Sequence, residues 1–95
     1  ALDLLERAIA ISPGDPAILD SLAWAQYKLG LYDDALSNLR KAFADFPDHE
    51  VASHLGEVLW AMGRREEARQ VWADALIDRP DSELIKEVIQ RLQST

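Results

Sequence analysis

The stretch Gly30-Leu31-Tyr32-Asp33-Asp34-Ala35 returns as Gly63-Arg64-Arg65-Glu66-Glu67-Ala68, 33 residues further on. The return is not isolated. Ala1, Ala35 and Ala68 align, as do Ala8, Ala42 and Ala75, and Pro13, Pro47 and Pro80, in steps of 34 and then 33 residues. A fixed period of this length marks a stacked supersecondary unit. The shorter step places the lost residue in the turn after Pro47, where a loop gives one up without disturbing a helix face.

Within a period the apolar residues keep helical spacing. Ile18, Leu22, Ala25 and Leu29 form one stripe and Leu36, Leu39 and Phe43 another, so the unit is two amphipathic helices joined as a hairpin and the fold is all-α. Asp15-Pro16 reads as an N-cap followed by proline at the first helical position, where its missing N–H costs nothing. Gly30 and Gly63 fall just past a helix end, where the left-handed conformation spares glycine a Cβ penalty of about 1–2 kcal/mol. The paired acids that follow meet the positive end of the second helix, worth about 0.3–1 kcal/mol each. Ala35 and Ala68 are small where helices cross, and Pro47 and Pro80 stop the second helix.

Ninety-five residues with 48% apolar and 28% charged side chains have the balance of one soluble, folded domain. Seventeen acids against 10 bases give a net charge of −7, which disfavours nucleic acid and anionic membrane surfaces. There is no cysteine, so disulfides, thiolate catalysis and cysteine zinc sites are excluded. No apolar run reaches the roughly 20 residues of a membrane span, and ALDLLERAIAIS lacks the basic head of a signal peptide.

The hairpins resemble the tetratricopeptide repeat, W-x2-L-G-x2-Y followed by A-x3-F, A and P. The first full repeat reads Leu19, Leu22, Ala23, Gln26, Gly30, Tyr32, Ala35, Leu39, Ala42, Pro47. The second reads Ala52, Leu55, Gly56, Leu59, Gly63, Ala68, Trp72, Ala75, Pro80. Ala23 for glycine and Gln26 for an aromatic depart from the pattern. The resemblance implies a solenoid fragment of right-handed superhelical type in one domain over residues 1–95. Residues 1–13 are then the second helix of a preceding repeat, 15–47 and 48–80 two full repeats, and 82–93 a capping helix with Leu84, Ile85, Val88, Ile89 and Leu92 on one face. The run from Asp20 to Gly30, DSLAWAQYKLG, is similar to the last repeats of large bacterial members, some of them outer-membrane lipoproteins that serve as adaptors of a periplasmic carboxy-terminal processing protease. It implies a periplasmic or outer-membrane setting if that likeness holds and a cytoplasmic one otherwise.

The family's groove is lined by the first helix of each pair, which implies a protein or peptide partner held by Asp20, Trp24, Tyr27, Lys28, Glu50, Ser53, Glu57 and Trp60, with Ala17, Lys86 and Gln90 nearby. Some members clamp a partner's terminal carboxylate with lysine, asparagine and arginine. The matching places here hold Asp20, Trp24 and His54, so that clamp is absent, and Asp20, Glu50 and Glu57 bias the lining toward apolar segments carrying basic residues. The alternative makes those acids a plain solvated face and wedges Trp24 and Trp60 between helices, the indole N–H finding a carbonyl. Trp72 falls at the family's buried aromatic position.

Two other functions compete with an adaptor role. Leu2, Leu5 and Ile9 offer a face for self-association or for a preceding repeat. Glu50, His54 and Glu57, spaced i, i+4, i+7, could bind a metal in a remote enzymatic reading. His49 reads as an ordinary residue of the inter-repeat turn. No phosphate loop, nucleophile elbow or carboxylate pair points to catalysis, and no cofactor is expected.

Overall fold

A computed structural model describes Leu4, Arg7, residues 15–45 and residues 47–94. The expected helix over 1–13, with Leu2, Leu5 and Ile9 on its face, lies outside the described residues except for Leu4 and Arg7, both helical. The chain divides into two compact units, 1–47 and 48–95. Among the described residues every regular element is a helix.

The first unit contains α1 (Pro16–Lys28) and α2 (Tyr32–Asp45), packed as a hairpin. Asp15 caps α1, its carboxylate accepting from the Ala17 N–H at 3.0 Å, with Pro16 in the first turn. The turn closes in a Schellman arrangement: the Leu31 N–H donates to the Gln26 carbonyl at 2.9 Å and Gly30 takes φ +82°. Asp33 and Asp34 stand in the first turn of α2, as their sequence position requires.

The buried face of α1 is Leu19, Leu22, Ala23 and Gln26, turned from the stripe expected through Ile18, Ala25 and Leu29. Ile18 and Ala25 are half-buried and Leu29 is exposed. Apolar residues surround this helix on nearly every side, so periodicity alone does not orient it. On α2, Ala35, Leu36, Leu39 and Ala42 are buried.

The second unit opens with the same hairpin. Helices α3 (His49–Ala61) and α4 (Arg65–Asp78) have 13 and 14 residues, the lengths of α1 and α2. Asp48 caps α3 through the Glu50 N–H at 3.2 Å. The turn repeats as well, with Arg64 N–H to the Leu59 carbonyl at 2.9 Å and Gly63 at φ +80°. Glu66 and Glu67 occupy the first turn of α4 and pair with Arg69 and Arg64 at 2.6 and 2.9 Å.

A fifth helix, α5 (Glu83–Gln93), packs mainly on α3 and less on α4. Ser82 caps it through the Ile85 N–H at 3.3 Å. Ile85 and Val88 are fully buried, while Ile89 and Leu92 are half-buried. Leu84, expected on the same apolar face, is exposed instead, because one turn of α5 offers α3 only the arc centred on Ile85 and Val88.

Candidate interaction surfaces

In the first unit, α1 carries a row of rings. Trp24 and Tyr27, one turn apart, stack with centroids 5.0 Å apart, and Tyr27 meets Tyr32 of α2 at 5.6 Å. Lys28 lays its Nζ 5.3 Å from the Trp24 centroid, a cation–π contact that steadies the outer ring. Trp24, Tyr27 and Asp20 are half-buried and Lys28 is exposed. These four residues, all expected in a partner-binding lining, occur on one helix, and the rings leave part of their surface to solvent. Beneath them Gln26 is buried, and its Oε1 accepts from the Asn38 amide at 2.9 Å, which satisfies a polar residue where the repeat pattern has an aromatic.

The second unit treats the equivalent positions differently. Trp60 stands where Tyr27 stands in the first hairpin, but it packs inward on Trp72, centroids 5.7 Å apart. The Arg65 and Arg69 guanidiniums lie 4.7 and 5.4 Å from its centroid. Trp60 thus packs on residues of its own hairpin while staying half-buried, as Trp24 and Tyr27 are. Trp72 is 1% exposed, in the core as expected.

Ser53 and Glu57, expected on an open lining, are both buried. Glu57 accepts from Arg91 of α5 at 2.6 Å, and Arg91 also reaches Glu87 at 3.3 Å. The Glu57 hydrogen bond, aided by the charges of Glu57 and Glu87 and opposed by desolvation, holds Arg91 above its usual value. A raised arginine stays charged through its ordinary value, so the guanidinium half of the bridge is lost only in strong alkali. These two residues line α3 toward α5, a partner helix that sequence spacing did not assign to that face. Glu50 is exposed and keeps its expected place at the surface. Of the Glu50, His54 and Glu57 set, Glu57 is thus engaged by a guanidinium that a metal ion there would have to displace.

His49 is not an ordinary turn residue. It opens α3, and its Nδ1 lies 2.7 Å from the Ser82 hydroxyl, 33 positions later. With Glu57–Arg91 it ties both ends of α5 to α3. The residues sequence reasoning missed at the surface are Leu31 and Arg65, together with Leu29, assigned to a buried stripe. All three sit at hairpin turns, where the position of the turn glycine was the available signal.

The family model of the tetratricopeptide repeat matches residues 29–92, more than half of the chain. The chain belongs to the tetratricopeptide repeat family. It is 51% identical over 57 residues to a TPR repeat-containing protein of Pseudomonas aeruginosa, covering 60% of this chain and 10% of that protein. It is 30% identical over 97 residues to the human protein O-mannosyl-transferase TMTC1, covering 97% of this chain and 11% of that one. A solved structure described as MamA MSR-1 C2 matches with a TM-score of 0.73 at 28% identity, over 98% of this chain and 56% of the other. The chain thus spans about a tenth of the length of these two curated relatives. Tetratricopeptide repeats generally mediate protein–protein interaction and their proteins are typically non-enzymatic scaffolds. No helix among the described residues is long and apolar enough to cross a membrane.

Proposed function

We propose that this tetratricopeptide chain is the binding module of a larger adaptor protein, and that its α1 face receives a segment of a protein partner. One observation carries the reading: Trp24 and Tyr27 stack on each other, are steadied by Lys28, and remain half-exposed on a rigid helix. Preordered rings supply contact area at low entropy cost, which is why tryptophan and tyrosine recur at binding hot spots. Asp20 on the same helix favours an apolar segment with basic residues. Glu57 drops out of that bias because Arg91 neutralises it.

Trp24→Ala tests the reading against a library of apolar peptides with and without basic residues. Captured peptides lose at least about 2 kcal/mol of affinity while helix content stays at the parent level. Binding indifferent to Trp24, or no binding at all, contradicts it.

A narrower form makes the parent protein a bacterial outer-membrane lipoprotein that adapts substrates to a periplasmic carboxy-terminal processing protease. The Asp20–Gly30 stretch supports it, and the Pseudomonas relative is consistent with a bacterial source. A signal peptide ending in a lipid-modified cysteine in the full reading frame is the expected finding. A frame without one places the protein in the cytoplasm and ends this form alone.

A further inference from the structure

The two hairpin turns share a backbone and differ in chemistry. Gly30 and Gly63 take φ +82° and +80°, and the closing hydrogen bonds are equal at 2.9 Å. The backbone of the turn therefore makes no demand that distinguishes Leu29-Gly30-Leu31-Tyr32 from Met62-Gly63-Arg64-Arg65. Yet the first turn exposes Leu29 at 64%, Leu31 at 43% and Tyr32 at 38%, half of the large exposed hydrophobic residues described. Asp33 and Asp34 follow at once, exposed and without an ion pair among the described residues. At the second turn Glu66 and Glu67 are already matched by Arg69 and Arg64. That leaves Arg65 exposed, held over the Trp60 ring, and likewise without an ion pair among the described residues.

We propose that the first hairpin turn of one copy of this chain docks on the second hairpin turn of another copy. Two unmatched carboxylates beside an apolar tip meet an unmatched guanidinium beside Trp60 and Met62, and the pairing sets the register of the contact. A patch of exposed leucine and tyrosine at a preformed turn is the kind of surface that marks association. The contact is heterologous: each copy uses one turn and leaves its other turn open, so growth continues past the dimer unless a ring closes. This surface adjoins the Trp24 face through the Tyr27–Tyr32 contact, but it turns on other residues, Leu29, Leu31, Asp33 and Asp34, so variants at those four positions test it apart from the adaptor reading.

Sedimentation velocity of the chain over a rising concentration series is the test, at low and high salt. Association beyond the dimer, weakened by salt, is expected. Leu29→Ser with Leu31→Ser, Asp33→Lys with Asp34→Lys, and Arg65→Glu should each weaken it at least tenfold. Arg65→Glu places an acid in the first turn of α4, where the helix start favours it, and helix content at the parent level confirms that this variant is folded. Mixing the Asp33→Lys, Asp34→Lys chain with the Arg65→Glu chain restores association that is weakened in each alone, because the unaltered turns of the two chains match and the exchanged charges attract as well. A chain that stays monomeric throughout, association indifferent to these changes, or a mixture that fails to associate overturns the proposal.

Discussion

Gly56 and Trp72 are a matched pair, and the first hairpin shows the alternative solution. A Cβ on Gly56 would overlap the Trp72 indole at Nε1, Cε2 and Cδ1. At the equivalent places the first hairpin has Ala23 and Leu39, both 0% exposed, and the smaller leucine leaves room for a methyl group. The departure of Ala23 from the repeat pattern is thus tied to the departure at Leu39. Gly56→Ala should destabilise the fold by about 1–3 kcal/mol, the usual cost of overpacking, and adding Trp72→Leu should recover part of that loss in a thermal melt. Trp72→Leu also removes an indole N–H that has no hydrogen-bond partner among the described residues, a burden of about 1–3 kcal/mol. Gln26 and Asn38 form a second pair, with Leu59 and Val71 at the equivalent places in the second hairpin. Gln26→Leu alone should cost about 1 kcal/mol by orphaning the Asn38 amide, whereas Gln26→Leu with Asn38→Val should be near neutral, as a double-mutant cycle in urea will show. None of this pairing is visible in either column of the repeat read singly. It emerges once equivalent residues of both hairpins are read together.

At the scale of the element, caps and turns were the most legible features. Asp15, Gly30, Gly63 and the acidic pairs each satisfy a local backbone requirement, and local requirements can be read from a few consecutive residues. Gly30→Ala and Gly63→Ala should each cost about 1 kcal/mol through the positive φ alone, since no atom lies within 4 Å of either added Cβ. The docking of α5 was less legible because it depends on side chains 33 or 34 residues apart, His49 with Ser82 and Glu57 with Arg91. Arg91→Met should cost about 1–2 kcal/mol, a figure reduced because the guanidinium is half in solvent. The loss should be local: amide exchange should quicken in α5 ahead of α3 and α4, reporting a helix that opens by itself. Uniform acceleration over all three helices would mean that α5 is no separate unit of stability.

For the whole molecule, the repeat period carried the fold class, since aligned alanines, glycines and prolines constrain every helix at once. The surroundings of the candidate binding residues were only partly legible. Spacing put Asp20, Trp24, Tyr27 and Lys28 on α1 correctly. It treated Ser53, Glu57 and Trp60 as their counterparts, although packing within the second unit commits Ser53 and Glu57 to burial and Trp60 to Trp72, Arg65 and Arg69. Equivalent positions share a backbone environment, but neighbours decide how much of a ring remains for a partner. The three tryptophans therefore differ in a way one spectrum can read. Assigned indole N–H resonances, followed by 1H–15N NMR as an apolar peptide bearing basic residues is added, test the central claim most directly. Movement of the Trp24 signal with that of Trp72 unchanged is the result this account predicts; a shifted Trp72 with Trp24 at rest, or three static signals at saturating peptide, would contradict it.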